Sequence, residues 1–249
     1  MTNPISRIIT NHQTFVYFHT HEVTQTILDA AIVQHKSLEL DISIAPDGEI
    51  YIGHPLAMYE FKNLPPPHNL PLDEVLRAAK AANLFLMFDV KDVRVLPRVQ
   101  QAILEHGVDN CILHSCVEEL VFRPFSSKLV VEPHWNNEQL PVDAVLAVKQ
   151  ATGVPVALCS RGISQELLDA KGQAAIVGQI LTVVKGKAEV MVPTMPPGET
   201  TPLSLMQTLL DNGIVSLFNV DKRSPEDRPA YYLGSTDDLA HATVLESEV

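Results

Sequence analysis

The feature that most constrains this chain is an alternation of short apolar runs and helical patterns sustained along most of its length. Strand-like runs fall at residues 15–18, 37–43, 84–90, 110–114, 128–132, 154–159, 188–192 and 214–219, eight in all. Helical patterns fill the gaps at 24–35, 72–82, 95–106, 142–152, 165–184 and 201–212. In the first of these Thr24 is placed to cap, and Ile27, Leu28, Ala31 and Ile32 share one face. Strands that alternate with helices build parallel βαβ units. A doubly wound open sheet would carry a glycine-rich turn after its first strand, and here that strand ends in His19-Thr20-His21-Glu22. The expectation is therefore α/β, a single (β/α)8 TIM barrel formed as one domain over residues 1–249, a usual length for that fold.

Four stretches depart from the alternation. Ala45-Pro46-Asp47-Gly48 is a turn signal, so 49–53 reads as a short strand returning along the second one. Pro65, Pro66, Pro67 and Pro71 make 63–71 an extended loop. Two glycines inside 165–184 allow that helix to be two pieces, and 117–124 reads as a short helical turn after the fourth strand. Residues 237–249 are weakly helical, and the apolar stretch 56–61 reads as a packed loop, or as a wall or lid of the site.

Barrel active sites gather at the C-terminal ends of the strands, where inward and outward side chains alternate. In the second strand Leu38, Leu40 and Ile42 share one face, and Glu39 and Asp41 share the other. In the third, Leu84, Leu86, Phe88 and Val90 oppose Phe85, Met87, Asp89 and Lys91. Carboxylates projecting into an apolar barrel repel one another and lose hydration unless a cation or a proton compensates. Glu39, Asp41 and Asp89 together suit a hard divalent cation, Mg²⁺ or Ca²⁺, and Lys91 suits a phosphoryl oxygen. His19 ends the first strand and His54 follows the small hairpin, a pair suited to general acid–base work near neutrality.

The ordered set His19, Glu39-x-Asp41, Asp47-Gly48, His54 and Asp89-x-Lys91 resembles the glycerophosphodiester phosphodiesterases and their sphingomyelinase D relatives, phospholipase-C-like barrels. It spans residues 15–91. The resemblance implies a metal-dependent phosphodiester hydrolase with ligands Glu39, Asp41 and Asp89, catalytic His19 and His54, and Lys91 on phosphate. The substrate it implies is a glycerophosphodiester or a related small phosphodiester. The chain departs from the family in three places. It has His19-Thr20-His21 where His-Arg-Gly is usual, which leaves His21, Arg161 or Lys91 to replace the arginine. It lacks the larger insertion usual between the second histidine and the later acidic ligand, and that ligand is Asp89 rather than the commoner Glu.

Other strand ends offer further substrate-binding candidates. Glu132 and Trp135 follow the fifth run, Arg161 the sixth, and Asn219 ends the eighth. Trp135 reads equally well as a packed loop aromatic, Arg161 as a surface arginine, and His114 as a satisfied structural histidine. Two rival readings stand beside the main one. His19-x-His21 also resembles the metal ligands of PHP-type phosphoesterases and amidohydrolases, with His114 and His134 as further donors, and Zn²⁺ or Mn²⁺ would mark that reading. A barrel that binds a phosphorylated ligand without turnover is the other.

Charge and composition exclude some partners. Lys and Arg number 18 against 30 Asp and Glu, a formal net charge of −12 with no basic run, which argues against nucleic acid as a partner. The three cysteines form no CxxC pair, the first residues carry no apolar leader, and no apolar run has membrane-spanning length. These features predict a cytoplasmic protein with reduced thiols and no integral membrane segment.

Overall fold

The computed structural model describes residues 4–20, 22–45, 47–65, 68–122, 139–196 and 198–244. Its core is a closed barrel of eight parallel strands: β1 (Phe15–Phe18), β2 (Leu38–Ile44), β4 (Leu86–Val90), β5 (Cys111–Val121), β7 (Val156–Arg161), β8 (Val190–Pro193), β9 (Val215–Asn219) and β10 (Leu233–Thr236). Each pairs in parallel with the next, and β10 closes the ring on β1 through Phe15↔Leu233 to Phe18↔Thr236. The fold is a (β/α)8 TIM barrel.

Two short strands lie off the ring. β3 (Ile50–Ile52) returns antiparallel along β2, closed by Ala45 N–H donating to the Glu49 carbonyl at 2.8 Å. β6 (Gln139–Leu140) pairs with β5 at Cys116↔Gln139.

The alternation along the strands divides the core in two. Leu38, Leu40, Ile42, Leu86, Phe88 and Val90 face outward and meet the surrounding helices. Phe15, Tyr17, Phe85, Met87, Ile112 and Leu233 fill the interior. The helix α1 (Pro4–Asn11) plugs the N-terminal mouth with Ile5 and Ile8, so polar side chains collect at the opposite end. The packing helices are α2 (Gln25–Gln34), α4 (Leu72–Ala82), α5 (Leu96–His106), α6 (Val142–Thr152), α7 (Gln165–Lys171), α8 (Gln173–Val184) and α9 (Leu203–Asp211). α2 starts where Thr24 accepts from the Ile27 N–H. α7 and α8 meet at 100°, so the segment 165–184 is two helices. Among the described residues no single helix is long and apolar enough to cross a membrane.

Several expected boundaries shift. The run 128–132 lies outside the described residues, and β5 pairs directly with β7, so 154–159 supplies the fifth ring strand rather than the sixth. The eighth is β10, whose Leu-Gly-Ser-Thr sequence carries one large apolar residue. Its glycine is required, because a Cβ at Gly234 would stand 2.6 Å from Val220 Cγ1. Residues 117–121 continue β5 instead of turning into helix. The stretch 56–61 is the short helix α3 (Leu56–Phe61), with Met58 and Tyr59 buried and Phe61 exposed. Beyond β10 the described chain makes one 3-10 turn at Leu239–His241.

Candidate active site

Strand register sets the site. Asp41 pairs with Asp89 and Asp89 with His114, so three polar side chains form one row across β2, β4 and β5 at the C-terminal end of the barrel. Glu39 sits two residues earlier on β2, opposite Met87. Glu39 and Asp41 are buried at 3% and 2% exposure. Lys91 follows β4, where its N–H donates to the Ile42 carbonyl at 3.0 Å. Its ammonium reaches back between two carboxylates, 2.5 Å from Asp89 Oδ2 and 3.1 Å from Asp41 Oδ1.

His54 is delivered by the hairpin. Gly53 N–H donates to the Asp41 carbonyl at 2.7 Å, the Tyr51 hydroxyl donates to the His54 carbonyl at 2.7 Å, and the His54 N–H donates to Tyr59 Oη at 3.3 Å. This clamp places His54 Nε2 3.2 Å from Asp41 Oδ2. His114 Nδ1 lies 3.1 Å from Asp89 Oδ1.

His19, one residue beyond β1, is held from the other side of the ring. Its Nδ1 lies 2.9 Å from Asp237 Oδ1, and its Nε2 lies 3.9 Å from Glu39 Oε2. Asp237 is itself braced: Asn219 Nδ2 donates to Oδ1 at 3.2 Å, and the Asp237 N–H donates to Asp221 at 2.8 Å. The Thr236 hydroxyl donates to the same Asp221 carboxylate at 2.9 Å. Asn219, expected on the substrate, thus spends its amide on Asp237.

Burial and crowding govern the charges. Burial, then the neighbouring Asp41 and Asp89, push the Glu39 carboxyl up to about 8. Burial also opposes ionisation of Asp89, yet His114 and Lys91 beside it hold its carboxyl well below the usual range. Burial disfavours protonated His114, but the adjacent Asp89 carboxylate outweighs it and raises the imidazole. Tyr17, under the cluster, is raised well above its ordinary value by burial and then by Glu39.

The donor chemistry fits a cation. One ligand atom from each of Glu39, Asp89 and His114 lies within 4.8 Å of the others. Among the described residues, Glu39 Oε2 and His114 Nε2 are buried without a hydrogen-bond partner, a costly arrangement that a metal ion relieves. Asp41, expected as a ligand with Glu39 and Asp89, turns its two oxygens toward His54 and Lys91. His114 thus stands beside Glu39 and Asp89 as a candidate ligand, a placement that the alternation Ile112, His114, Cys116 along one strand face signals.

A cavity of about 220 Å³ is lined by Asp89, Lys91, His114, Cys116, Cys159 and Arg161 among others. Arg161 therefore lines the site. The neighbouring Cys159 thiol, then Arg161 and His114, bring the Cys116 thiol down to about 6. Glu132, Trp135, His134 and His21 lie outside the described residues.

The barrel has relatives in fold. It is similar to a candidate glycerophosphodiester phosphodiesterase from Galdieria sulphuraria, with a TM-score of 0.57 and 14% identity over 90% of this chain and 94% of that one. It is also similar to phosphonopyruvate hydrolase, solved with oxalate and Mg²⁺, with a TM-score of 0.51 and 13% identity over 94% of this chain and 80% of that one. Likeness at such identity carries the architecture alone. No protein-family model matches the chain, and no curated protein matches its sequence.

Proposed function

We propose that this barrel is an enzyme, a metal-dependent phosphodiester hydrolase acting on a glycerophosphodiester or a related small phosphodiester. The observation that carries the reading is the pairing of each histidine with its own carboxylate around one acidic centre. His19 rests on Asp237 and looks toward Glu39, while His54 lies against Asp41, 3.2 Å away. In this reading one histidine takes the proton from the attacking hydroxyl, water or a vicinal hydroxyl of the substrate. The other returns a proton to the departing alkoxide.

Glu39, Asp89 and His114 would hold the divalent ion, with Asp41 beside them engaging His54 and Lys91. The oxygen-rich set suits Mg²⁺ or Ca²⁺. When bound, such an ion supplies Lewis-acid polarisation of a phosphoryl oxygen. Lys91 and Arg161, facing the same cavity, take the non-bridging oxygens, and Arg161 does the work that the arginine of His-Arg-Gly does in the resembled family.

The test is hydrolysis of bis(p-nitrophenyl) phosphate by protein stripped with EDTA and resupplied with Mg²⁺, Ca²⁺, Mn²⁺ or Zn²⁺. Rescue by Mg²⁺ or Ca²⁺ is expected, with each of His19→Ala and His54→Ala lowering turnover by roughly 10²–10⁴ in a folded protein, whereas rescue by Zn²⁺ or Mn²⁺ alone would favour the His19-x-His21 reading. Near wild-type turnover in both variants would remove the acid–base assignment. Binding without turnover under every metal would make the barrel a receptor for a phosphorylated ligand.

A further inference from the structure

The two cysteines in the cavity wall have no part in the acid–base chemistry. Cys116 on β5 and Cys159 on β7 are register partners on neighbouring parallel strands. Neighbouring strands run about 4.8 Å apart, within the roughly 4.4–6.8 Å Cα separation that a disulfide spans. Both residues line the same cavity. Cys116 is partly open to that cavity, whereas Cys159 is buried with Thr194 Oγ1 3.1 Å from its sulfur. Arg161 lines the cavity beside them. The third cysteine differs in each respect: Cys111 packs in the outer core between barrel and helices and donates its S–H to the Val108 carbonyl at 3.3 Å.

We propose that Cys116 and Cys159 form an oxidisable dithiol site, in which Cys116 reacts with a small hydroperoxide entering the cavity and Cys159 resolves the product into a disulfide between the two neighbouring strands. The electrons balance without another partner. The Cys116 sulfur attacks the near oxygen of ROOH, the O–O bond breaks, ROH leaves with a proton, and Cys116 becomes a sulfenic acid. The Cys159 sulfur then attacks the Cys116 sulfur, the S–O bond breaks, water leaves, and the S–S bond forms. Two thiols are oxidised and one peroxide is reduced. A dithiol reductant restores both thiols by exchange. The pair stands independently of phosphodiester hydrolysis, since it needs only the register of β5 and β7 and the shared cavity.

The full-length protein is treated with one equivalent of hydrogen peroxide and mapped by peptide mass spectrometry without reduction. The expected product is a single crosslink joining the peptides of Cys116 and Cys159, with Cys111 still alkylatable after unfolding and the crosslink lost on dithiothreitol treatment. Before oxidation, Cys116 is expected to take iodoacetamide about tenfold or more faster than Cys111 in the folded protein. In Cys159→Ser the sulfenic acid persists on Cys116 and is captured by dimedone. Full alkylation of both thiols after peroxide, or oxidation appearing first at Cys111, would overturn the proposal. The wild-type map decides this even if the serine variant fails to fold.

Discussion

His19 Nδ1 lies 2.9 Å from Asp237 Oδ1, a contact that ties the end of the first ring strand to the residue just after the last. The two positions are neighbours because β10 closes the barrel on β1, so the orientation of this histidine depends on ring closure. With Nδ1 committed to the carboxylate, Nε2 is the nitrogen left to face Glu39.

Asp237 is accordingly expected to act as a positioning residue. Asp237→Asn should lower turnover by roughly 10–100-fold, as loss of an orienting partner commonly does. KM should hold within about twofold, since the carboxylate does not touch substrate. A fall in kcat with KM held is the mark of lost positioning, which a mere loss of folded protein would not give. An unchanged kcat in the variant would sink the idea.

His114 offers a second test. Its Nε2 has no hydrogen-bond partner among the described residues, and its Nδ1 faces Asp89. Calorimetric titration with Mn²⁺ should show affinity about tenfold or more weaker in His114→Ala than in wild type, equivalent to about 1.4 kcal/mol. Unchanged affinity would return His114 to a structural role.

Much of this centre is legible in the sequence, for a physical reason. Carboxylates at alternate positions among leucines, as in Leu38-Glu39-Leu40-Asp41, have nowhere to point but the barrel interior, and Asp89-x-Lys91 repeats the pattern on the neighbouring strand. What the sequence hides depends on contacts between distant segments. Leu233–Thr236 is too small and polar to look like a strand, because its burial comes from Val16, Val220 and Tyr232 packing close around Gly234. Asp237 looks like any exposed loop acid until closure brings His19 to it. The pairing of Cys116 with Cys159 is likewise a matter of register, and β5 reaches its partner only by extending past the point where its apolar pattern weakens.

Gly234 gives the closure a direct check. A methyl group there meets Val220 Cγ1 at 2.6 Å and Val16 Cγ2 at 3.3 Å, with Tyr232 at 3.2 Å, and all three lie in a tight cluster around the seam. Gly234→Ala should cost about 1–3 kcal/mol by urea denaturation, the usual range for overpacking. Because the strain falls beside Thr236 and Asp237, turnover should fall with it. A variant as stable as wild type would mean that the seam is looser than its contacts imply.

Glu39 links the site to stability through pH. In metal-free protein its carboxyl is raised to about 8, from an ordinary carboxylate value of about 4.5. The folded state therefore binds a proton that the unfolded state has released, and between these two values unfolding releases it. The stabilisation is complete below the lower value and is lost as pH rises toward the upper one. Metal-free wild type should accordingly lose thermal stability from pH 5 to pH 8, while Glu39→Gln, which carries the neutral form at every pH, should lose less. Each kcal/mol regained by the variant at pH 8 should raise its Tm by about 2–4 °C. Adding Mg²⁺ at pH 8 should stabilise wild type and release a proton, measurable as a buffer-dependent binding enthalpy, and should do little for the variant. Parallel pH–stability curves for the two proteins would show that Glu39 is already ionised at neutral pH without metal, with Lys91 and His114 supplying all the compensation that the carboxylates need.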